Sequence, residues 1–555
     1  MIAGTPRGFR DILPAEAEAR ERISDTVRDC FSRHGYHPVE TPLLEDRDVL
    51  ERGGRIKGSP FQLFDSDDRL LTLRPDITLP IARMAATRLR SASGPQRLRY
   101  AAPVVREQAS LKGQPRQFTQ LGVELIGGEG LASEYEVVSL LAEVLDTLGV
   151  KDWHVVCGSV TPLVALLDRC VSDPLLCESV LACVHGSDLV GLDQLVDASD
   201  LDEPVARALK GIARVHGDDS VIDDIDSLLA GAGVPMGERG TLELRELVCR
   251  LSDVGRASRV TFDFSIINSF DYYTGIVFKG YADGIAASLA SGGRYDAVLA
   301  NMGLPDTCAC GFALSLERLQ EVLGEQGEAG VATPGVSLGE RPLRIAVPKG
   351  SLNSDTIDAL EACGLPVQGL RDPGRKLIIP AGDVEYVIVR PTDAPAFVGF
   401  GGADCGICGS DSLIEADLDL LQLVDLRYGA CRFIVAEPRA NAGMADRAYS
   451  WRGTIRVATK YPRITQMYYD RMGVTADILA LHGNIELGPI VGMADRIVDI
   501  TATGTTLAEN DLVVVDDVME CTARFFAGPA AYRCDSRIRD LADRLAEVTG
   551  RSARS

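Results

Sequence analysis

Several domains of mixed α/β and α+β class are expected from three features of the chain. Its 555 residues are enough for three or four domains, each with its own core. A stretch of Gly and Pro without apolar periodicity, 324–342, divides it in two and reads as a linker. From Leu343 onward short apolar strands alternate with helical segments, the signature of parallel sheets. With 46% hydrophobic and 25% charged residues the composition is that of a globular protein, and a net charge of -23 argues against a broad electrostatic grip on a nucleic-acid backbone. No segment has the charged-then-apolar form of an export leader, and no apolar run is long enough to span a bilayer. Fourteen cysteines show no paired metal-ligand spacing. Cys405 and Cys408 form the one two-residue gap, with no His or Cys cluster around them, so buried reduced thiols, a cytoplasmic setting and no protein-held metal are expected.

The N-terminal half opens with Pro6-Arg7-Gly8-Phe9-Arg10-Asp11, followed by an acidic, alanine-rich run, 16–33, that predicts a helix stopped at Gly35. Next come Arg74-Pro75-Asp76-Ile77-Thr78, then Pro103-Val104-Val105-Arg106-Glu107, then Arg116-Gln117-Phe118-Thr119-Gln120-Leu121-Gly122-Val123-Glu124. The last alternates as a strand, which puts Gln120, Gly122 and Glu124 on one face, lining one side of a pocket. Between about 161 and 255 apolar and acidic residues recur at helical spacing, as in Val221-Ile222-Asp223-Asp224-Ile225, and predict a helical insertion with a solvated acidic surface. The half closes with Asp271-Tyr272-Tyr273-Thr274-Gly275, Gly292-Gly293-Arg294-Tyr295-Asp296 and the run from Gly311 to Arg318.

In the C-terminal half, Leu343-Arg344-Ile345-Ala346-Val347 runs into Pro348-Lys349-Gly350-Ser351, so Lys349 falls at a strand's carboxyl end, where open α/β sheets bind ligands. Arg375-Lys376, Val389-Arg390-Pro391-Thr392-Asp393 and Asp404-Cys405-Gly406-Ile407-Cys408-Gly409 continue a first lobe, 343–437 with 512–550. The strand leading into Thr459-Lys460-Tyr461-Pro462 opens a second lobe, 438–511, and two such lobes enclose a cleft. Within it, Asp495-Arg496-Ile497-Val498-Asp499-Ile500-Thr501-Ala502-Thr503-Gly504-Thr505-Thr506 sets a buried strand, ending in carboxylates, before a turn rich in Gly and hydroxyls. Gly504 and small residues let backbone N–H groups converge on an anion, and Thr503, Thr505 and Thr506 add donors. Asp495 and Asp499 cannot bind phosphate themselves, so the stretch points to a ligand carrying phosphate together with sugar hydroxyls or a metal, such as a phosphorylated ribose. The same turn also fits plain strand-to-helix chemistry, Arg375 and Lys376 also fit a solvated turn, and Lys460 fits a strand end with no ligand.

Over about residues 1–323 the motifs, in their order, resemble histidyl-tRNA synthetase, a class II aminoacyl-tRNA synthetase. The resemblance implies an antiparallel sheet flanked by helices and carries over Asp76, Thr78, Arg106, Gln120, Glu124, Tyr272 and Tyr273 as a histidine pocket. Carboxylates suit the α-ammonium, and tyrosines enclose an imidazole with one wet end. The chain departs from that family where the adenylate is made. Asn268 stands where the family has an arginine, and the Gly-Arg-x-Arg of the motif 2 loop becomes Gly113-Gln114-Pro115-Arg116. Each lost cation at a developing phosphoryl charge costs on the order of 10²-fold in rate. No anticodon-binding domain follows, so the half reads as a catalytically retired histidine sensor, with Arg106 and Arg318 kept for residual nucleotide binding or as partners in ion pairs.

Residues 343–550 are similar to the short-form catalytic subunit of ATP phosphoribosyltransferase, through the motifs around Lys349, Arg390, Lys460 and Asp495–Thr506. That family, two-lobed like periplasmic binding proteins, condenses ATP with 5-phosphoribosyl 1-pyrophosphate and releases pyrophosphate, the first step of histidine biosynthesis. Its short form works with a separate histidyl-tRNA-synthetase-like regulatory subunit, so the resemblance implies a fusion. Asp495, Asp499, Thr501, Ala502, Thr503, Gly504, Thr505 and Thr506 then bind the phosphoribosyl donor, and Lys349, Gly350, Lys376 and Arg390 bind ATP. Lys349, Arg375, Arg390 and Asp499 form the catalytic set, with Mg²⁺ riding on the substrates' phosphates. Histidine is expected as the inhibitor, a homo-oligomer as the assembled form, and neither nucleic acid nor membrane as a partner. Three alternatives stay open: a bifunctional protein that still charges tRNA, a C-terminal half that only binds a ligand, and an N-terminal half that is an activating scaffold with no histidine site.

Overall fold

The computed structural model describes residues 4–53, 61–107, 115–266, 272–326, 341–501 and 505–552. The chain forms two compact units, Met1–Leu338 and Gly339–Ser555. The helix Leu316–Gln326 continues past 324, because Leu316, Leu319 and Val322 are buried along one face of it.

The first unit is built on a nine-stranded sheet. Its strand order is His37–Pro38, Gln96–Val105, Gln117–Ile126, Ala309–Ser315, Ala290–Arg294, Ile276–Ala282, Trp153–Ser159, Val260–Asp263 and His216–Gly217. The pairs are antiparallel except at the first, and at Trp153–Ser159 with Val260–Asp263. The helices Pro14–Arg33, Gly130–Thr147 and Leu316–Gln326 cover it. Between Trp153–Ser159 and Val260–Asp263 stands the predicted insertion, helical from Thr161–Cys170 to Thr241–Asp253 except where His216–Gly217 joins the sheet edge. The strand Gln117–Ile126 is buried on both faces from Gln120 on. Leu121, Val123 and Leu125 fill one side, and Gln120, Gly122 and Glu124 share the other.

The second unit has two lobes, each on a mixed sheet. In the first lobe the order is Ile378–Ala381, Val384–Val389, Leu343–Pro348, Cys405–Gly409, Ala523–Ala527 and Leu421–Asp425. Only Leu343–Pro348 with its two neighbours pairs in parallel. Ile378–Ala381 turns back through Gly382, at φ +69°, into a hairpin, and a connection that short forces antiparallel pairing. In the second lobe the order is Ala476–Ala480, Ile455–Thr459, Arg496–Thr501, Cys431–Pro438 and Leu512–Cys521. The last two strands pair with each other along their whole length and so belong to the second lobe, outside the 438–511 expected for it. The chain therefore crosses between lobes at 426–430 and at Thr522. Among the described residues no helix is long and apolar enough to cross a membrane.

Candidate functional site

In the first lobe the strands Leu343–Pro348 and Val384–Val389 end together, in a register that pairs Pro348 with Val389. The residues that follow, Lys349 and Arg390, leave the sheet edge side by side and exposed, with the Lys349 N–H bonded to the Val389 carbonyl at 2.8 Å. Gly350, at φ +85°, makes the left-handed turn that only glycine takes without strain and leads into the helix Asn353–Ala362. Because Ile378–Ala381 runs antiparallel, the residues just before it return to the same edge, where Ile388 N–H donates to the Leu377 carbonyl at 2.8 Å. Arg375 and Lys376 thus arrive beside Lys349 and Arg390 on an exposed turn closed by Lys376 N–H and the Pro373 carbonyl at 3.0 Å. None of these four cations has an ion pair among the described residues. A cluster of uncompensated positive charge at one edge attracts a polyanion.

Cys405–Gly409 reaches the same edge from the other side and delivers Ser410, Asp411 and Ser412 at the start of the helix Ser410–Ala416. The hydroxyls of Ser410 and Ser412 are buried without a partner among the described residues, and burial pushes the Asp411 carboxyl up. These three residues were not assigned from sequence. Their only signal is a Gly-Ser-Asp-Ser turn after an apolar strand, which ordinary turn chemistry also explains.

The second lobe meets the first at Glu415, whose carboxylate accepts the N–H groups of Ile464 at 2.7 Å and Arg463 at 3.2 Å, at the start of the helix Pro462–Arg471. In the second lobe the strand Arg496–Thr501 ends in Asp499, Ile500 and Thr501. Asp499 is half-buried, and burial lifts its carboxyl above the usual range, reinforced by Glu486 and opposed by the Ile500 N–H at 2.8 Å and by Lys460. Ala502, Thr503 and Gly504 lie outside the described residues. Thr505 and Thr506 begin the helix Thr505–Glu509, so the turn joins a strand's carboxyl end to a helix start.

Asp495 is not part of this edge. It precedes the strand, and six residues at about 3.3 Å each put it roughly 20 Å from the turn. Its carboxylate is held by the Arg456 backbone N–H and guanidinium, both at 3.0 Å, and by Arg452 at 2.5 Å. Burial would raise this carboxyl, but those bonds prevail and hold it below the usual range. The expectation that Asp495 binds the sugar therefore gives way to a structural role. Spacing alone could not separate the two aspartates, because both flank the same apolar run.

In the first unit a second site is assembled around Glu124, which is 1% exposed. Thr78 donates to it at 2.7 Å, Tyr100 at 3.3 Å, and Tyr295 at short range. Burial pushes the carboxyl up to about 7, with the three hydroxyls pulling it back. Gly311 on the neighbouring strand makes room for it, since a Cβ there would stand 2.1 Å from the Glu124 Oε2. Asp76 accepts the Leu79 N–H at 3.1 Å at the head of the helix Thr78–Thr87, and burial raises its carboxyl despite Arg106. Arg106 donates to the Pro75 carbonyl at 2.8 Å and lies over the Phe118 ring, 5.0 Å from its centre. Tyr272 and Tyr273 meet edge to face at 4.9 Å, both half-buried. Gln120, on the face of Glu124 and about 13 Å along the strand, is 9% exposed, and its Oε1 finds no donor among the described residues. The seven residues expected here thus line one face, with Tyr100 and Tyr295 added to them. Those two stood in the motifs, but nothing in the sequence ranked them above their neighbours. Arg318 donates to the Ser288 carbonyl at 2.5 Å. Asn268, Gly113 and Gln114 lie outside the described residues.

Among the described residues no group of three or more His, Cys, Asp or Glu is placed to hold a metal, and the cysteines are free thiols.

A class II synthetase-like body and a two-lobed α/β body on one chain define the class. Comparison with known proteins names it. The histidyl-tRNA synthetase family model matches residues 8–319, and the ATP phosphoribosyltransferase model matches residues 390–547. An ATP phosphoribosyltransferase of Rubrobacter xylanophilus is 50% identical over 193 residues, 35% of this chain and 89% of the relative. An ATP phosphoribosyltransferase regulatory subunit of Moorella thermoacetica is 35% identical over 329 residues, 59% of this chain and 84% of the relative. The crystal structure of an ATP phosphoribosyltransferase regulatory subunit/histidyl-tRNA synthetase from Bacillus halodurans superposes with a TM-score of 0.54 at 28% identity, covering 65% of this chain and 90% of that one. The chain belongs to the histidyl-tRNA synthetase family over its first half and to the ATP phosphoribosyltransferase family over its second, a fusion of regulatory and catalytic parts.

Proposed function

We propose that the C-terminal unit joins ATP to 5-phosphoribosyl 1-pyrophosphate and that the N-terminal unit binds histidine and slows this step. Adenine N1 supplies the electron pair for a new bond to the ribose anomeric carbon, and the bond to pyrophosphate breaks with its pair going to the leaving oxygen. The protein's task is to position two polyanions and to stabilise a departing one beside a cationic sugar. The observation that carries this reading is the convergence of Lys349, Arg375, Lys376 and Arg390, without ion pairs among the described residues, on one edge of the first lobe's sheet. The four cations neutralise pyrophosphate and the phosphates of ATP, with Gly350 letting the backbone approach. Asp499 holds ribose hydroxyls, and Thr501 to Thr506 cradle the 5-phosphate. Mg²⁺ enters bound to the substrates' phosphates.

Histidine fits the Glu124 face through an ammonium drawn to buried carboxylates and a ring enclosed by tyrosines, with the orphan Gln120 Oε1 as a further acceptor. Feedback then needs histidine to favour the less active arrangement by ~1–3 kcal/mol. Fusion fixes the ratio of sensor to enzyme at one to one and replaces encounter by tethering. We assign the protein to the cytoplasm, in keeping with its free thiols, and expect a homo-oligomer. The test is formation of phosphoribosyl-ATP from the two substrates with Mg²⁺, followed by absorbance with and without histidine. Turnover that histidine suppresses is expected; turnover indifferent to histidine removes the sensor, and absence of turnover removes the enzyme.

A further inference from the structure

Lys460 is the residue that follows Ile455–Thr459, and the parallel register pairing Thr459 with Val498 makes Lys460 the direct neighbour of Asp499. The chain on both sides of it is clamped. The Thr459 hydroxyl donates to the Val498 carbonyl at 2.7 Å, accepts the Tyr461 N–H at 2.9 Å and meets the Thr465 hydroxyl at 3.1 Å, and both threonines are wholly buried. Pro462 then starts the next helix at once. A solvated strand-end lysine needs no such mounting. Its own ammonium is exposed and has no ion pair among the described residues. Asp499, by contrast, is a half-buried carboxylate whose opposite neighbour across the sheet is Ile434. The charged and titratable groups that face it are Lys460 from its own sheet, Glu486 from the segment before the helix Leu487–Ile490, and Tyr461, with Asp411 of the first lobe facing Lys460 and Tyr461. Lys460 is the one cation in that group.

We propose that Lys460 is a positioning residue of the phosphoribosyl transfer, its ammonium supplying at longer range than an ion pair the positive field that favours the Asp499 carboxylate beside the ribose hydroxyls of the donor; this rests on the function proposed above. The burial of Asp499 and the charge of Glu486 both favour its protonated form, in which half of its hydrogen-bond-accepting power toward the sugar is lost, and Lys460 opposes both. Removing the ammonium therefore raises the pH at which Asp499 titrates, and activity that requires the carboxylate is lost earlier as pH falls.

The experiment is steady-state kinetics of the full chain, unaltered and as Lys460→Met and Lys460→Arg, with each substrate varied between about pH 5 and 9. Lys460→Met is expected to lower kcat/KM for the phosphoribosyl donor about tenfold near neutral pH, to move its acidic limb up by about one unit and to leave the KM for ATP unchanged. Lys460→Arg restores the limb. An acidic limb that stays in place in Lys460→Met, whatever the loss of rate, overturns the proposal, as does a limb that moves equally in both variants. Absence of turnover in the unaltered chain overturns the function itself, and with it this role.

Discussion

Tyr295 gives its phenolic proton to the buried carboxylate of Glu124, a residue 171 positions earlier in the chain. The bond joins two strands of the sheet and, with Thr78 and Tyr100, surrounds an acid that has no ion pair among the described residues. An acid kept this way is half neutral near pH 7, poised between stabilising the fold and attracting an ammonium.

Glu124→Gln keeps the shape of the pocket and removes its charge. Histidine inhibition is expected to weaken at least tenfold while turnover without histidine stays within twofold, as measured by inhibition curves at fixed substrate. Loss of basal turnover would contradict the assignment of Glu124 to the sensor.

The same acid makes stability depend on pH. Its folded value, about 7, lies above the ordinary 4.5, so the native state binds the proton more tightly than the unfolded chain does. That contribution is fully present below about pH 4.5 and is lost as pH rises through 7, a change of about 3 kcal/mol. Denaturant unfolding of the wild type and of Glu124→Gln should therefore converge near pH 4.5, diverge as pH rises from there to 7, and differ by a constant margin above pH 7, the variant being the more stable.

At the cationic edge, Lys349→Ala and Arg390→Ala are expected to reduce kcat/KM by about 10²- to 10³-fold if, as proposed, each meets charge that develops on the leaving group. Both side chains are exposed and unpaired among the described residues, so thermal melts should be unchanged.

The two aspartates flanking the strand Arg496–Thr501 should separate cleanly. Asp495→Ala strands Arg452 and Arg456 and is expected to cost about 1–3 kcal/mol of stability with little change in kcat/KM of the folded enzyme. Asp499→Asn should leave the melting temperature in place and lower turnover by tenfold or more. An Asp495→Ala enzyme that melts normally and fails to turn over would return that residue to the active site.

Much of this architecture was legible in the residues. The helical insertion, the strand end at Lys349 and the face shared by Gln120, Gly122 and Glu124 all follow from period and punctuation, which are local properties. What escaped was set by pairing between distant segments. Cys431–Pro438 and Leu512–Cys521 fall in the second lobe because they pair with each other across 73 residues, and no local pattern marks that. Asp495 was misread because its arginine partners lie 39 and 43 positions away. Ser410, Asp411 and Ser412 gain meaning only from the strand beside them, whose register brings them next to Lys349.

The place of Ala523–Ala527 between Cys405–Gly409 and Leu421–Asp425 has a consequence for how the chain is made. At about 5–20 residues per second, roughly 5–20 s of synthesis separate Asp425 from Ala527. Through that interval the nascent first lobe has a gap where its fifth strand belongs, with the edges of two apolar strands facing it. The second lobe in turn waits for its own last strand, Leu512–Cys521, which is made just before Ala523–Ala527. A ribosome that stalls before residue 523 leaves a chain with two open sheet edges, the kind that chaperones capture.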